Sequence, residues 1–270
     1  MGSVFRPHPI VPVFGIDMVY TAFRLSFGGD YVFDGESHDF WEIVFVLSGK
    51  VVSTQDEKVY LLERNDLIVH APMQFHSLRG TDGCDSEVLI ISFHANGELP
   101  SALNRGIFAL SPENALAYQQ ICDRLITLLD NGSETPYDDQ EIISRLTAFL
   151  IRLSRQDADC RLIVSADVLV YRDIISAMHA NVCENLTLED FARSCNISVS
   201  YLKLLFKKYA AISPKNYFAD LRVQHAIKLM QQGMSTSAIA NIMNFSSPNY
   251  FSVFFKKHTG EVPSVYRKHL

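Results

Sequence analysis

The sequence predicts an α+β protein with a β-rich N-terminal domain (residues 1–110), a helical hairpin with a linker (111–166) and an all-α C-terminal domain (167–270). Three observations predict this class: short apolar runs broken by turn residues up to residue 93, helical periodicity from Pro112 onward, and opposite net charges at the two ends of the chain. The 270 residues are 48% hydrophobic and 20% charged, a composition that excludes a disordered chain.

The N-terminal domain carries regularly spaced strand signals. Turn clusters at residues 28–30 and 48–50 separate apolar runs that are rich in β-branched and aromatic residues. The predicted strands are 18–27, 40–47, 58–62, 67–70 and 88–93. Short strands at such spacing indicate a sandwich or a β-barrel.

The central segment predicts two amphipathic helices. Apolar residues recur at helical spacing over 116–129 and again over 142–153, and Asn131-Gly132-Ser133 and Thr135-Pro136 separate the two stripes. Periodicity does not distinguish a stripe that packs on the strands from one that packs on a partner subunit, so both alternatives stay open. We expect this hairpin to mediate homodimerisation.

The distribution of charge separates the two ends of the chain. The net charge of −6 and a pI of about 5.8 argue against nucleic-acid binding by the chain as a whole. From residue 166 onward, however, the chain has 12 Lys and Arg and seven Asp and Glu, which gives this part a net charge of +5. The preceding residues have a net charge of −11. This asymmetry favours a nucleic-acid-binding domain joined to a domain of another kind.

The C-terminal domain contains an internal repeat with a period of 49 residues. Tyr201, Phe206-Lys207-Lys208, Pro214 and Tyr217 recur as Tyr250, Phe255-Lys256-Lys257, Pro263 and Tyr266. Each copy predicts a helix, a short turn and a second helix: a capping box at 187–190 begins the first helix, and Ser198 or Ser200 begins the next. A long helix from Ser213-Pro214 to Gly233 joins the copies. Two helix-turn-helix units with lysine pairs in register favour DNA docking over a plain helical bundle.

These residues resemble the DNA-binding domain of the AraC/XylS family of bacterial transcription regulators. The matching segments are 186–192 (LTLEDFA), 200–208 (SYLKLLFKK), 212–217 (ISPKNY), 221–226 (LRVQHA) and 249–260 (NYFSVFFKKHTG). The resemblance implies two helix-turn-helix modules that enter successive major grooves on one face of DNA. It also implies promoter DNA and RNA polymerase as partners of a transcription regulator, with activation as one expected activity.

Two departures from the family pattern bear on recognition. Asn244 stands where the family usually has Gly, and Asn tolerates a positive φ. Leu204 and Val253 stand where each recognition helix commonly has Arg, so a bidentate guanine contact is not available there. By the resemblance, base reading falls to Ser200, Tyr201, Lys203, Asn249 and Ser252, with Leu204 and Val253 against thymine methyl groups. Lys207, Lys208, Lys256 and Lys257 are the expected phosphate-binding residues.

The N-terminal domain resembles the cupin-like ligand-binding domain of the same family. His38-Asp39-Phe40-Trp41-Glu42 looks like the first cupin motif, and the segment from Asn65 to His76 looks like the second. Strand alternation would place Glu36, His38, Phe40, Glu42 and Val44 on one face. We expect His38, Phe40, Glu42 and His76 to line the pocket of a small-molecule effector, for which sugars and phenolics are both compatible.

The same residues have a second reading as metal ligands. Glu36, His38, Glu42 and His76 could converge on an ion, as in metallo-cupin enzymes. Glu36 replaces the usual leading histidine of that pattern, so the expectation is an effector pocket without metal or cofactor, in a protein that is not an enzyme. One alternative function is that of a metallo-cupin enzyme, such as a dioxygenase or an isomerase. A second alternative is a protein-interaction module. Metal content and salt-dependent DNA affinity distinguish the three.

The remaining features concern the cellular location. No apolar run reaches the length of a membrane span, and Met1 to Pro7 do not form a signal-peptide core. The five cysteines (Cys84, Cys122, Cys160, Cys183, Cys195) are scattered, with no CxxC spacing. We therefore expect a cytoplasmic protein with reduced thiols and no membrane partner.

Overall fold

The protein is described by a computed structural model that covers residues 9, 11–81, 83–159 and 161–269. The expectations for Met1 to Pro7 and for Cys160 fall outside these residues, and the other four cysteines are free thiols. The strands are β1 (Phe14–Phe27), β2 (Val32–Glu36), β3 (Trp41–Ser48), β4 (Lys50–Gln55), β5 (Lys58–Glu63), β6 (Asp66–His70), β7 (His76–Gly80), β8 (Ser86–Gly97) and β9 (Ile107–Ala109).

These strands form two antiparallel sheets that face each other. One sheet has the order β1-β8-β3-β6-β9 and the other β2-β7-β4-β5. Side chains from both sheets share a buried core that includes Val44, Ile68, Val51 and Leu78. The predicted β domain is confirmed, as two facing sheets rather than a closed barrel, and each of the five predicted strands overlaps an observed one, with residue 40 preceding β3.

Four strands lack the signal on which the prediction depended. β2 contains an Asp-Gly pair, β4 and β7 bury polar residues, and β9 is only three residues long. Ser53, Thr54, Gln55 and Ser77 are each at most 2% exposed. Buried hydroxyl and amide groups break the alternation of apolar and polar residues from which a strand is predicted.

The helical hairpin packs on the outer face of the five-stranded sheet. It consists of α1 (Pro112–Asn131) and α2 (Pro136–Leu153), each with a proline in its first turn. The buried stripes of both helices join one core with side chains of β3 and β8, and the rings of Tyr118 and Phe45 lie 5.4 Å apart, edge to face. Of the two alternatives left open for these apolar stripes, the structure therefore shows the first: their buried residues pack on the chain's own sheet.

The C-terminal domain has the predicted duplicated architecture. Its helices are α3 (Ala166–Ala180), α4 (Leu188–Ser194), α5 (Val199–Tyr209), α6 (Pro214–Gln231), α7 (Thr236–Ile242), α8 (Pro248–Thr259) and α9 (Pro263–Tyr266). The α4–α5 and α7–α8 pairs are the two helix-turn-helix units, and α6 joins them. Each unit has its own buried core. The sequence did not predict α3, which precedes the repeat.

Local signals set the helix boundaries in both units. The hydroxyl of Thr187 accepts from the backbone N–H of Asp190, whose carboxylate accepts from the backbone N–H of Thr187, so the capping box is confirmed. Ser198, rather than Ser200, caps α5. The turns inside the two units place Asn196 and Asn244 at φ values of 55° and 53°, the left-handed region that Asn tolerates. Among the described helices, none is both long and apolar enough to cross a bilayer.

Candidate functional site

A cavity of about 320 Å³ lies between the two sheets of the N-terminal domain. Most of its wall is apolar, and carboxylate, imidazole and hydroxyl groups are concentrated in the remainder. The cavity lining includes Phe40, Glu42, His70, His76, Ser77 and Glu36. A mostly apolar cavity with a few convergent polar groups is the usual form of a small-molecule site.

Three of the four residues predicted for effector binding line this cavity, namely Phe40, Glu42 and His76. The fourth, His38, lies directly behind them, with Nε2 3.8 Å from Oε2 of Glu42 and its ring stacked on Phe40 at 3.6 Å. Phe40 therefore belongs to the cavity wall, whereas neighbouring Trp41 packs against the hydrophobic core of the hairpin. The structure brings the four predicted residues together, and their role in effector binding stays a prediction.

The route by which these residues meet differs from the one expected. A common face through strand alternation requires residues 36–44 to form one continuous strand, but β2 ends at Glu36 and β3 begins at Trp41. Residues 37–40 form a connection, so a common face does not follow from alternation there. Glu36 reaches the cluster from the end of one sheet and Glu42 from the other sheet, and Oε1 of Glu36 lies 4.0 Å from Nε2 of His76.

The carboxylate of Glu42 is the electrostatic centre of this cluster. Oε1 lies 3.3 Å from Nε2 of His76. Burial favours the neutral acid, but the two adjacent histidines outweigh burial and hold the pKa of Glu42 well below its usual range. Burial likewise disfavours the imidazolium form of His76, and the Glu42 carboxylate outweighs it and raises the pKa of His76. Glu42 is therefore an anion that attracts a positive group at this end of the cavity.

Sequence reasoning missed His70, which also lines the cavity. His70 pairs with Glu42 across β3 and β6, and its ring stacks on that of His76 at 4.4 Å. Complete burial lowers its pKa well below the usual value, so His70 is neutral at pH 7. The register between the two strands would have placed it beside Glu42, but that register is not readable from one sequence.

The end of the first recognition helix, α5, is attached to the four-stranded sheet. The carbonyl of Tyr209 accepts hydrogen bonds from Thr54 at 2.8 Å and from Ser77 at 3.0 Å. Arg79 donates to the carbonyls of Lys207 and Lys208. Because Ser77 also lines the cavity, one side chain connects the cavity wall to a recognition helix.

A second contact joins the cavity region to α6. Gln224 donates to the hydroxyl of Ser37 at 2.6 Å, between the two cluster residues Glu36 and His38. On the same side, Phe75 of the N-terminal domain packs edge to face on Tyr217 of α6, with 4.9 Å between the ring centroids. The helix that joins the two DNA-binding units therefore rests on the segment that carries the polar cluster.

The residues predicted to read bases on α5 lie in two environments. Ser200, Lys203 and Leu204 are exposed, with Leu204 56% exposed. Tyr201 is half-buried, and its hydroxyl donates to Asp167 of α3 at 2.6 Å. The predicted phosphate ligand Lys207 is exposed, whereas Lys208 forms an ion pair of 2.6 Å with the same Asp167.

Asp167 is a second residue that the sequence did not single out. Its hydrogen bonds from Lys208 and Tyr201 lower its pKa, so it is an anion at neutral pH. Because the Tyr201 hydroxyl is bonded to Asp167, Tyr201 could offer a base its aromatic edge rather than a free hydroxyl. The same carboxylate offsets the positive charge of Lys208. We found no local signal for this contact, because 34 residues separate Asp167 from Tyr201.

The second recognition helix, α8, presents a more open face. Asn249, Val253, Lys256 and Lys257 are exposed, and Val253 is 59% exposed. The hydroxyl of Ser252 donates to the carbonyl of Pro248 at 2.9 Å, so this hydroxyl is already paired within the helix. The structure thus places every predicted DNA-contacting residue on α5 or α8, and their individual roles stay predictions.

Arg222 of α6 ties the two helix-turn-helix units together. Only 5% of the residue is exposed. Its guanidinium donates to the carbonyl of Met243, which follows α7, at 2.6 Å and to the side chain of Asn185, which precedes α4, at 3.2 Å. It also lies 4.4 Å from the ring centroid of Phe245. One buried side chain therefore sets the relative position of elements from both units.

Comparison with known proteins agrees with this two-part organisation. Residues 22–162 match the family model described as the AraC-like ligand binding domain, and residues 191–269 match the one described as a helix-turn-helix domain. The HTH-type transcriptional activator RhaR of Escherichia coli K12 is 23% identical over 250 residues, which cover 87% of this chain and 87% of RhaR.

Two further proteins are similar over different lengths. The uncharacterised HTH-type transcriptional regulator YidL of Escherichia coli K12 is 33% identical over 96 residues, which span 35% of this chain and 32% of YidL. Among solved structures, ToxT from Vibrio cholerae aligns with a TM-score of 0.38 and 14% identity, covering 94% of this chain and 99% of ToxT.

Proposed function

The chain belongs to the AraC family of transcription regulators, and we propose that it activates transcription when a small molecule occupies the cavity between its two sheets. The observation that carries this proposal is Ser77, which lines the cavity and also donates to the carbonyl that ends α5. A transcription regulator of this kind acts on promoter DNA in the cytoplasm and works through RNA polymerase. RhaR is an HTH-type transcriptional activator, and this similarity supports the activating sense.

The cavity favours an effector with an apolar body and one polar end. Aromatic and aliphatic side chains such as Phe33, Phe40 and Ile90 cover most of the wall, while Glu42 and His76 stand together at one end. An apolar wall desolvates a hydrocarbon or aromatic body, and a buried carboxylate and imidazole fix the orientation of a hydrogen-bonding group. A phenolic compound satisfies both requirements, and a sugar would satisfy chiefly the second.

Effector control follows if the ligand distinguishes two arrangements of the domains. A ligand with equal affinity for both arrangements does not shift the equilibrium between them. Control by an effector therefore requires that the shape of the cavity changes with the position of α5 and α6. The contacts that would transmit this difference are Thr54 and Ser77 on Tyr209, and Ser37 on Gln224. Occupation of the cavity would move β7 or residues 35–38 and thereby bias these hydrogen bonds.

Removing these contacts should uncouple the two domains. We expect Thr54→Val and Gln224→Leu, alone and together, to leave effector binding in the cavity unchanged, because neither side chain lines it. The ratio of DNA affinities with and without effector should move toward one. The measurement is a promoter footprint with and without members of a panel of phenolics and sugars, followed by titration of DNA at fixed effector concentration.

The matched control is Thr127→Val, which removes an exposed threonine hydroxyl from α1. This variant should respond to effector as the unaltered protein does. If the Thr54 and Gln224 variants also keep the full response, the signal does not pass through these contacts. If no small molecule changes the footprint of the unaltered protein, control through the cavity is wrong.

We also propose that the chain forms a homodimer through its helical hairpin. The buried stripes of α1 and α2 are used on the chain's own sheet, but Leu116, Leu129 and Tyr137 are 56%, 47% and 81% exposed on the hairpin. Exposed large apolar groups on neighbouring helices support association with a second copy. Light scattering should give twice the chain mass at micromolar concentration, and Leu116→Glu with Leu129→Glu should give the monomer. A monomeric unaltered protein would contradict the proposal.

A further inference from the structure

We propose that Glu36, His38, Glu42 and His76 bind one divalent transition-metal ion at the polar end of the cavity. One ligand atom from each of the four residues lies within 4.8 Å of the others. The sequence favoured an effector pocket without metal because Glu36 replaces a histidine. The structure shows that the carboxylate of Glu36 nevertheless reaches the same point, so the replacement exchanges one ligand type for another.

The two histidines are held in the tautomer that a metal ion requires. Nδ1 of His38 lies 3.0 Å from the carbonyl of Phe40, and Nδ1 of His76 lies 3.1 Å from the carbonyl of Gln74. A carbonyl only accepts, so each Nδ1 carries the proton and each neutral ring presents the lone pair of Nε2 to the cluster. A backbone carbonyl behind the ring is the usual outer partner of a metal-bound histidine.

When both histidines are neutral, the groups that meet here are all acceptors. Nε2 of His38 and Nε2 of His76 are buried, and neither has a hydrogen-bond partner among the residues that the structure describes. The side chain of His76 is 3% exposed, and both nitrogens point at the carboxylate oxygens of Glu42. Lone pairs and anionic oxygens repel one another unless a cation lies between them. An ion at this point would satisfy both orphaned nitrogens and neutralise the carboxylates.

The spacing of the ligand atoms fits a transition-metal ion. Nε2 of His76 is 3.3 Å from Oε1 of Glu42, and Nε2 of His38 is 3.8 Å from Oε2 of Glu42 and 3.9 Å from Oε1 of Glu36. Bonds of about 2.0 to 2.2 Å in a tetrahedral site place neighbouring ligands about 3.3 to 3.6 Å apart. The ligand atoms of the four residues lie within 4.8 Å of one another, so side-chain shifts of up to about 1 Å, the largest at the half-exposed Glu36, would complete the shell.

The ligand types select the class of ion. Two imidazoles with two carboxylates suit Zn²⁺ and the neighbouring divalent ions Mn²⁺ to Ni²⁺, whereas Mg²⁺ and Ca²⁺ prefer oxygen ligands alone. Glu36, Glu42 and His76 also line the cavity, so a vacant coordination position would face a bound effector. This point rests on the proposed function, but occupation of the site by metal does not.

The site also connects the ion to the DNA-binding domain. Ser37, which accepts from Gln224 of α6, lies between the two ligands Glu36 and His38. An ion that ties both neighbours of Ser37 to β3 and β7 would restrict the position of this hydroxyl. Metal would then order the segment on which α6 rests.

The direct test is metal binding by the full-length protein without DNA. The purified chain is stripped with a chelator and titrated with Zn²⁺ in a calorimeter, with Mg²⁺ as the negative control and Co²⁺ as a spectroscopic probe. We expect one Zn²⁺ per chain, a d–d absorption band of bound Co²⁺, a higher Tm with Zn²⁺ and no binding of Mg²⁺. His38→Asn and His76→Asn should each weaken binding at least about 100-fold, since loss of an outer partner alone costs 10- to 100-fold.

The matched control is His94→Asn, which removes an exposed histidine that pairs with Asp17 at 2.6 Å. It should bind Zn²⁺ as tightly as the unaltered protein. Circular dichroism shows whether the buried His76 variant folds, and His38→Asn gives the answer independently if it does not. Absence of stoichiometric Zn²⁺, Mn²⁺, Co²⁺ and Ni²⁺ binding by the unaltered chain, or equal binding by the His38 and His94 variants, would overturn the proposal. DNA affinity is measured separately, so failure of effector control would not be mistaken for failure of the metal site.

Discussion

Replacing Arg222 by alanine should destabilise the C-terminal domain by about 3 kcal/mol. Hydrogen bonds to charged groups contribute about 1.5 to 3 kcal/mol each, and Arg222 makes two, to Met243 and Asn185. The substitution also leaves the Met243 carbonyl without this donor and opens a cavity beside Phe245. Urea unfolding followed by helical circular dichroism measures the change.

The control for this prediction is an arginine that lies at the surface of the same domain. Arg172 of α3 is exposed, and Arg172→Ala should change the free energy of unfolding by less than about 0.5 kcal/mol. Arg222→Met keeps much of the side-chain volume and should recover part of the loss. Equal stability of the Arg222 and Arg172 alanine variants would show that Arg222 does not join the two units.

Removing Lys256 and Lys257 together should lower DNA affinity about 30-fold at about 0.15 M salt. Each phosphate contact contributes about 0.9 to the slope of log affinity against log salt concentration, which is about fivefold per lysine at this salt concentration. The double alanine variant should therefore also reduce the slope by about 2. Both lysines are exposed at the end of α8, where their charges can reach the DNA backbone. Fluorescence anisotropy with a labelled promoter fragment over a series of salt concentrations measures both quantities.

Two other lysines serve as comparisons for this effect. Lys208→Ala should have a smaller effect, because Asp167 already holds that ammonium group at 2.6 Å. Lys228 lies in the cleft between α6 and the N-terminal domain, and Lys228→Ala should leave the salt slope unchanged. A slope that stays the same in the Lys256 and Lys257 double variant would mean that α8 does not lie along the phosphates.

The duplicated helical domain could be predicted in detail because its signals are local. Capping residues and the spacing of apolar residues act within one or two turns of the helix they define, and the 49-residue repeat shows that the same unit occurs twice. The capping box at Thr187 and the left-handed Asn244 are both present in the structure. The sequence missed α3, which lies before the repeat and shares none of its motifs, and the short helix α9 that follows the second unit.

The contacts that connect the domains could not be predicted from the sequence. Thr54 and Tyr209 are 155 residues apart, and Ser37 and Gln224 are 187 apart. Hydroxyl and amide groups at these positions carry no periodic signal, and pairs this distant depend on the packing of whole domains. The histidines and carboxylates of the cavity were identified by their motifs, but His70 required the strand register.

Selection of binding sites from random DNA by the full-length protein tests most directly the claim that both helix-turn-helix units read DNA. If the two recognition helices enter successive major grooves, we expect two conserved blocks whose centres lie about 10 base pairs apart, which is one helical turn. Thymine, rather than guanine, should be enriched opposite Leu204 and Val253, because apolar side chains suit the thymine methyl group and cannot donate to guanine. No enrichment, a single block, or guanine at both of these positions would show that the two units do not read DNA in this way.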